Sequence, residues 1–485
     1  MLLLSPAMTP TPRALWLLLA CSLALSLWIA FAYPLLDPDE GRNAEVAREM
    51  AATGDLVIPH LAGMPYLDKP PALFALSALC IRAFGASPTA ARAPAMLASL
   101  AILLLLARAA LGRGDPRQAT RVVALTAAAP LFAVLSAYVI FDSLLALCVT
   151  VVWLGLAAEL EAAPGAAHTS RRRALMFAAV TAGVLVKGPI MLAWMLGGTL
   201  AAAAVTRSRR ALAWLAWWPG WLLVLGIGGG WFALALRRHP EYAHYAFVEE
   251  SMERMTSSSF HRDQPWWFIP AVFVGGALPW SLATPWRAPR SLHARVGAGF
   301  VVFAAAFFSL SHSKLVTYLL PAFPALAWAA AEAWGDARAT LETALPKGLW
   351  AGLLFAPLVL VGGWPWLGPL AQDTSGAALA AAIRASGGGA VRCEDCYTPG
   401  TDYLLAQRSA VVSASGAPLT SNYVIRYRET LRARGQWTLI DSSAVAPRAD
   451  VIVRETRRAG APPPGAREIF RSRRFIAWRI PPAAH

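Results

Sequence analysis

The stretch RALWLLLACSLALSLWIAFAY, residues 13–33, is almost wholly apolar behind one leading arginine. A run of about 20 such residues is what a helix needs to cross the hydrocarbon core of a bilayer. No small-residue cleavage site of the A-x-A type follows it, so the stretch is expected to stay in the mature chain as its first membrane helix. Similar runs recur at 92–111, 120–140, 143–160, 174–205, 212–236, 266–284, 296–311, 314–333 and 348–371. The run at 174–205 reads as two spans broken at Lys187-Gly188-Pro189, which gives about eleven crossings in all. Segment 70–86 is apolar but short and opens on Pro70-Pro71, so it is read as re-entrant or lying in the interface. A thirteen-span arrangement is the alternative.

Composition agrees with this reading. The 485 residues are 57% hydrophobic and only 15% charged, with a mean hydropathy of +0.49, whereas soluble domains carry roughly a quarter charged residues. The formal charge of +15 would point to nucleic acid in a soluble protein. Here the basic residues sit in short clusters between apolar runs, so nucleic acid is not the expected partner and membrane lipids are. Arg13, Arg108/Arg113/Arg117/Arg121, Arg171-Arg172-Arg173, Arg207/Arg209/Arg210, Arg287/Arg290/Arg295 and Arg338/Lys347 all fall on one side by simple alternation. An excess of Lys and Arg marks the cytoplasmic side, which predicts a multi-pass membrane protein with these clusters facing the cytoplasm.

The opposite, outer side then receives loop 35–69, the turn near Asp142, the break at Lys187, loop 237–264, the turn at His312–Lys314 and everything after about 372. Loop 35–69 carries seven acids against three bases, unlike any loop on the other side. Beyond 372, short alternating stretches such as Ala410-Val411-Val412 and Asp450-Val451-Ile452-Val453 between Gly, Pro and Ser predict a small soluble α/β domain. The expected organisation is a membrane domain over 1–371 and an extracytoplasmic domain over 372–485. Cys393 and Cys396 form a C-E-D-C pair in that domain, a spacing that permits one local disulfide.

In D-P-D-E-G-R-N, residues 37–43, Asp37 can cap a helix with Pro38 in its first turn and Glu40 at the reciprocal capping position. Acids in a first helical turn are stabilised by the dipole and need no catalytic role. Location adds weight, because Asp68, Lys69, Asp142, Lys187 and Lys314 fall at the same membrane boundary, where ionisable residues are costly and usually have partners or functions. Such a site suits transfer of a sugar from a polyprenyl phosphate, whose phosphate leaves carrying negative charge that cations must stabilise. Lys69 and Arg42 supply cations, and a divalent ion (Zn, Mg or Mn) bridging Asp68 and Asp142 would add to them. Asp39 is placed to take the attacking proton. One base without a protein nucleophile implies inversion at the sugar carbon, by analogy with inverting glycosidases. In loop 237–264 the tryptophans of H-R-D-Q-P-W-W-F read as an interfacial belt, and Arg262 is the functional candidate.

The ordered run D-E-G-R-N-A-E-V-A-R-E-M, G-D-L-V-I-P-H-L-A-G-M-P-Y-L-D-K-P-P, F-G and A-R-A-P between Asp39 and Pro94 resembles the first outer loop of the GT-C glycosyltransferases that include 4-amino-4-deoxy-L-arabinose lipid A transferase. Dolichyl-phosphate-mannose protein mannosyltransferases belong to the same wider superfamily. The resemblance continues at F-D-S-L-L, V-K-G-P, H-P-E-Y, F-V-E-E, H-R-D-Q-P-W-W-F and S-K-L-V-T-Y-L-L-P, over most of residues 1–330. It implies Asp39 as the catalytic acid residue with Glu40 in support, and Arg42, Lys69 and Tyr318 as holders of the lipid phosphate. It further implies Tyr66 in the sugar pocket and Asp142 at a metal. Asp68 stands where the family often has Glu, which changes the reach of that carboxylate. The resemblance implies a polyprenyl-phosphate sugar donor and a lipid, glycan or protein acceptor, with lipid A first among them. A protein Ser/Thr acceptor is one alternative. A transporter or flippase of lipid-linked sugars is another, although transporters tend to place their charges near the bilayer midplane, often in repeated halves.

Overall fold

The computed structural model describes residues 13–163, 168–253, 263–337, 355, 357–441 and 448–481. It is a polytopic α-helical membrane protein with a small C-terminal sheet domain. Among the described residues five helices are long and apolar enough to cross a membrane: Arg13–Ala32, Pro88–Leu111, Phe141–Glu161, Trp218–Arg238 and Leu292–Leu310. Several other apolar runs are helical but interrupted. The run at 120–140 is split into Pro116–Ala128 and Pro130–Leu135 because Pro130 has no N–H to continue the ladder. The run at 314–333 starts as a 3-10 turn, Val316–Ala322, before the helix Phe323–Ala337. Helix Ala72–Phe84 has 13 residues, a rise of ~20 Å against a core of ~30 Å. It is too short to cross unaided.

The chain forms two compact units, one from residues 1–29 and 95–362, the other from residues 30–94 and 363–485. In the first, helices pack through small residues. Helix Ile190–Thr206 meets Leu292–Leu310 so closely that a Cβ on Gly299 would lie 2.4 Å from the backbone of Ala202. Close backbone approach of this kind supplies helix association in lipid. Outward side chains such as Trp16, Leu97, Leu225 and Leu310 are exposed and apolar, as a lipid-facing surface requires. The break expected at Lys187-Gly188-Pro189 is present: helix Thr169–Lys187 ends there, Gly188 takes φ 76°, and Ile190–Thr206 follows.

The second unit is built on a five-stranded sheet in the order 410–412, 391–394, 451–455, 475–479, 467–471. Strand Val391–Glu394 runs parallel to both neighbours, and the last two strands are antiparallel. Helix Pro399–Leu405 makes the crossover between the parallel strands 391–394 and 410–412. Alternation along Val391–Glu394 buries Val391 and Cys393 and leaves Arg392 and Glu394 half-buried. Cys393 and Cys396 are both buried free thiols, and Cys396 donates to the Val453 carbonyl at 3.3 Å. Helix Asp39–Thr53 lies in this unit, packed on Ala72–Phe84 and on Pro399–Leu405.

Candidate functional site

Helix Asp39–Thr53 starts one residue later than the capping pattern predicts. Pro38 is the N-cap and offers no side-chain cap. Glu40 still reaches backward, its Oε2 accepting from Leu36 N at 3.0 Å, but the Asp37 carboxylate turns away from the helix. Asp37 Oδ1 accepts from Gly400 N at 3.1 Å, and Asp37 N donates to Thr374 O at 2.9 Å. Room for that carboxylate comes from two glycines. A Cβ on Gly41 would sit 1.9 Å from Asp37 Oδ1, and one on Gly400 2.9 Å from Oδ2. Burial pushes the Asp37 pKa up to about 7, against the lowering effect of the Gly400 N–H and Arg474.

Glu40 is wholly buried and held by Arg92 through two hydrogen bonds of 2.7 Å, Nε to Oε1 and Nη2 to Oε2. Arg92, itself 1% exposed, also donates to the carbonyls of Ala30, Tyr33 and Pro34. One guanidinium therefore fixes the chain where it leaves the first helix and enters Asp39–Thr53. The Glu40 carboxylate is thus committed to Arg92 and Leu36 N. Asp39, one residue earlier, is exposed and ion-paired to Arg42 Nη2 at 2.6 Å.

Arg42 is the fixed cation of this group. Its Nη1 donates to Thr420 O at 3.0 Å and to the Thr420 hydroxyl, and its guanidinium lies 5.9 Å from the Tyr66 ring centroid. Burial opposes the charge on Arg42, yet Tyr66, Asp39 and Asp68 around it raise its pKa. Tyr66 is buried, with its N–H on Pro59 O and its ring edge-on to Phe74. Lys69 Nζ donates to Asp68 O at 2.9 Å. Asp68 accepts from Tyr423 N at 3.0 Å and from the Ser421 hydroxyl. Residues 420–423 thus grip the acidic loop at both Arg42 and Asp68.

In the first unit, Asp142 opens helix Phe141–Glu161 and Lys187 closes Thr169–Lys187, a placement that suits both helix dipoles. Their side chains meet at 2.6 Å, and the Lys187 ammonium lies 4.8 Å from the Tyr318 ring centroid. Lys314 is buried and donates to Gln264 O at 2.9 Å. Arg262 lies outside the described residues.

The donors expected for a metal are otherwise engaged. Asp68 has both oxygens taken within its unit, and Asp142 faces an ammonium where a cation would sit. Among the described residues, no three His, Cys, Asp or Glu side chains converge on a point.

Sequence reasoning assigned no role to Arg92, Thr420, Ser421 or Gly400. Arg92 carried a readable signal, as a lone arginine near the start of an apolar helix, where an unpaired charge is costly. The grip of 420–423 had none, since it joins residues some 350 positions apart.

No family profile matches the chain. It is 30% identical over 387 residues to undecaprenyl phosphate-alpha-4-amino-4-deoxy-L-arabinose arabinosyl transferase 1 of Sodalis glossinidius, covering 72% of this chain and 68% of that protein. The corresponding transferase of Pseudomonas aeruginosa UCBPP-PA14 is 31% identical over 341 residues, 65% of this chain and 58% of that one. Among solved structures, ArnT from Cupriavidus metallidurans bound to undecaprenyl phosphate superposes with a TM-score of 0.78 at 22% identity, over 96% of this chain and 98% of that chain. That likeness establishes the same fold.

Proposed function

Because the chain belongs to the ArnT-like family of GT-C glycosyltransferases, we propose that it moves a sugar from an undecaprenyl phosphate carrier to a cell-envelope acceptor such as lipid A. The 4-amino-4-deoxy-L-arabinose in its relatives' names is the first donor to test. The observation that carries the reading is the Asp39–Arg42 pair: an exposed carboxylate 2.6 Å from a guanidinium that Thr420 and Tyr66 hold in place. An acceptor oxygen attacks the anomeric carbon, Asp39 takes its proton, and the bond from that carbon to the carrier phosphate breaks with both electrons going to phosphate. Arg42 and Lys69 stabilise the charge on the departing phosphate, a role that guanidinium and ammonium groups serve well when fixed beforehand. With one base and no protein nucleophile the configuration inverts. Tyr66 lines the sugar side.

The same proposal puts the acid-rich loop and the sheet domain outside the cytoplasm, in the periplasm of an inner-membrane protein. Support comes from the arginine clusters of the opposite loops and from the positive-inside bias.

The test is reconstitution of the purified protein in vesicles with labelled undecaprenyl-phosphate aminoarabinose and lipid A. Sugar-bearing lipid A, detected by mass, is the expected product. Movement of the intact labelled carrier between leaflets, with no transfer, would replace the reading by a flippase. Label on protein Ser or Thr instead would replace the acceptor.

A further inference from the structure

Strand Val391–Glu394 ends on Cys393 and Glu394, in parallel register with Val411 and Val412 on one side and with Val453 and Arg454 on the other. Asp395 then takes a left-handed backbone, φ 49°, uncommon for a residue with a Cβ, while its N–H donates to Val412 O at 2.9 Å. The chain reverses there and brings Cys396 back over the end of its own strand. The Cys396 thiol donates at 3.3 Å to the carbonyl of Val453, the residue that stands opposite Cys393 in the ladder. A hydrogen bond with Cys393, together with burial, raises the Cys396 thiol well above its ordinary pKa. The two side chains are 0% and 2% exposed. The C-E-D-C turn thus holds two sulfurs in contact, sealed from solvent.

Cysteines that exchange with other molecules lie in electropositive, partly exposed places that favour the thiolate. Here the surroundings do the reverse, since burial and the nearby Glu455 both favour the neutral thiol. The pair is therefore no exchange centre for outside substrates. It suits a bridge made once, before the domain closes over it.

We propose that Cys393 and Cys396 are a modification site, joined as a disulfide while the sheet domain folds. This rests on the reading that the domain lies outside the cytoplasm, because disulfides persist in oxidising compartments such as the bacterial periplasm. The oxidant is itself a disulfide, carried by a protein or a small molecule. One cysteine thiolate attacks it, releases one of its sulfurs and leaves a mixed disulfide; the second cysteine attacks the first one's sulfur and releases the other. Two electrons pass from the cysteine pair to the oxidant, and the two thiol protons end on its released sulfurs. Helix Pro399–Leu405 begins three residues after Cys396, and its Gly400 N–H holds the Asp37 carboxylate at 3.1 Å. A bridge across 393–396 stiffens the turn that carries this anchor, and with it the segment leading into Asp39.

The test is alkylation of the full chain in cells under denaturing conditions without reductant, followed by peptide mass spectrometry. Cys148, buried in helix Phe141–Glu161, takes the label in either case and is the internal control. The peptide with Cys393 and Cys396 should carry no label and be two hydrogens lighter than the dithiol. In parallel, Ala461→Cys, at an exposed position of the same domain, should react with a membrane-impermeant maleimide in spheroplasts. Both native cysteines alkylated while Ala461→Cys is labelled from outside would overturn the disulfide. Both alkylated with Ala461→Cys shielded would overturn the location, and the disulfide with it. Reduction of the purified protein with a phosphine should raise hydrogen exchange at the amides of residues 397, 398 and 400 about tenfold. Unchanged exchange after reduction would overturn the role of the bridge in holding the turn.

Discussion

Arg92→Ala should be the most damaging single change in the sheet-bearing unit. The residue makes two hydrogen bonds of 2.7 Å to Glu40 and three to backbone carbonyls, with Glu40 0% and Arg92 1% exposed. Removing one partner of a buried pair costs ~3–5 kcal/mol, because the other charge stays buried without compensation. The three carbonyls each lose a charged donor, at ~1 kcal/mol apiece. A total of ~6–8 kcal/mol is comparable to the whole stability of a typical domain, ~5–15 kcal/mol. The assay is thermal unfolding in detergent together with limited proteolysis of segment 33–40, read through a double-mutant cycle. Glu40→Met combined with Arg92→Met should recover at least ~3 kcal/mol relative to the summed single changes, since it removes both charges. Arg92→Lys should fold yet lose transfer activity, because an ammonium cannot form the fork that orients the first turn beside Asp39. The reasoning fails if Arg92→Ala lies within ~1 kcal/mol of wild type or the cycle is additive within ~0.5 kcal/mol.

Three other outcomes follow from the same contacts. Asp37 and Asp402 have folded pKa values raised to about 7 by burial, against 3.8 unfolded, so the folded unit binds more protons. The stability this gives is complete below pH ~4 and is lost as pH rises through ~7, by ~1.4 kcal/mol per pH unit for each acid. The melting temperature should therefore fall between about pH 4 and 7, and Asp37→Asn should flatten that slope; a melting temperature that rises with pH over that range contradicts the assignment. Gly41→Ala places a Cβ 1.9 Å from Asp37 Oδ1 and should destabilise by ~1–3 kcal/mol, whereas Gly226→Ala, with nothing within 4 Å, should be neutral in the same melt. Asp142→Asn leaves the half-buried Lys187 ammonium uncompensated and should cost ~3 kcal/mol; the swap Asp142→Lys with Lys187→Asp should regain at least half, and no recovery would mean that the pair does not stabilise the bundle.

The membrane class was legible because it depends on composition and run length, which need no knowledge of partners. The break at Lys187-Gly188-Pro189 was legible for a similar reason, since Gly and Pro act on their own backbone. Where reading failed, a distant partner decided the outcome. Asp37 looked like a helix cap, but the Gly400 N–H and the space at Gly41 take its carboxylate instead. Asp68 accepts from Ser421 and Tyr423, contacts that nothing in its own loop announces. Glu40 shares a motif with Asp39, yet it is buried on Arg92 while its neighbour is exposed. Local sequence cannot separate two adjacent carboxylates by what packs over them from 52 residues away.

Asp39→Asn tests the central claim most directly. The variant removes the proton acceptor and keeps the shape of a side chain that is already exposed, so folding and donor binding should persist. In vesicles carrying labelled undecaprenyl-phosphate aminoarabinose and lipid A, its transfer rate should fall at least ~100-fold, the scale of general-base catalysis, with an unchanged melting temperature. A variant that transfers sugar at the wild-type rate would contradict the assignment of Asp39 as the base.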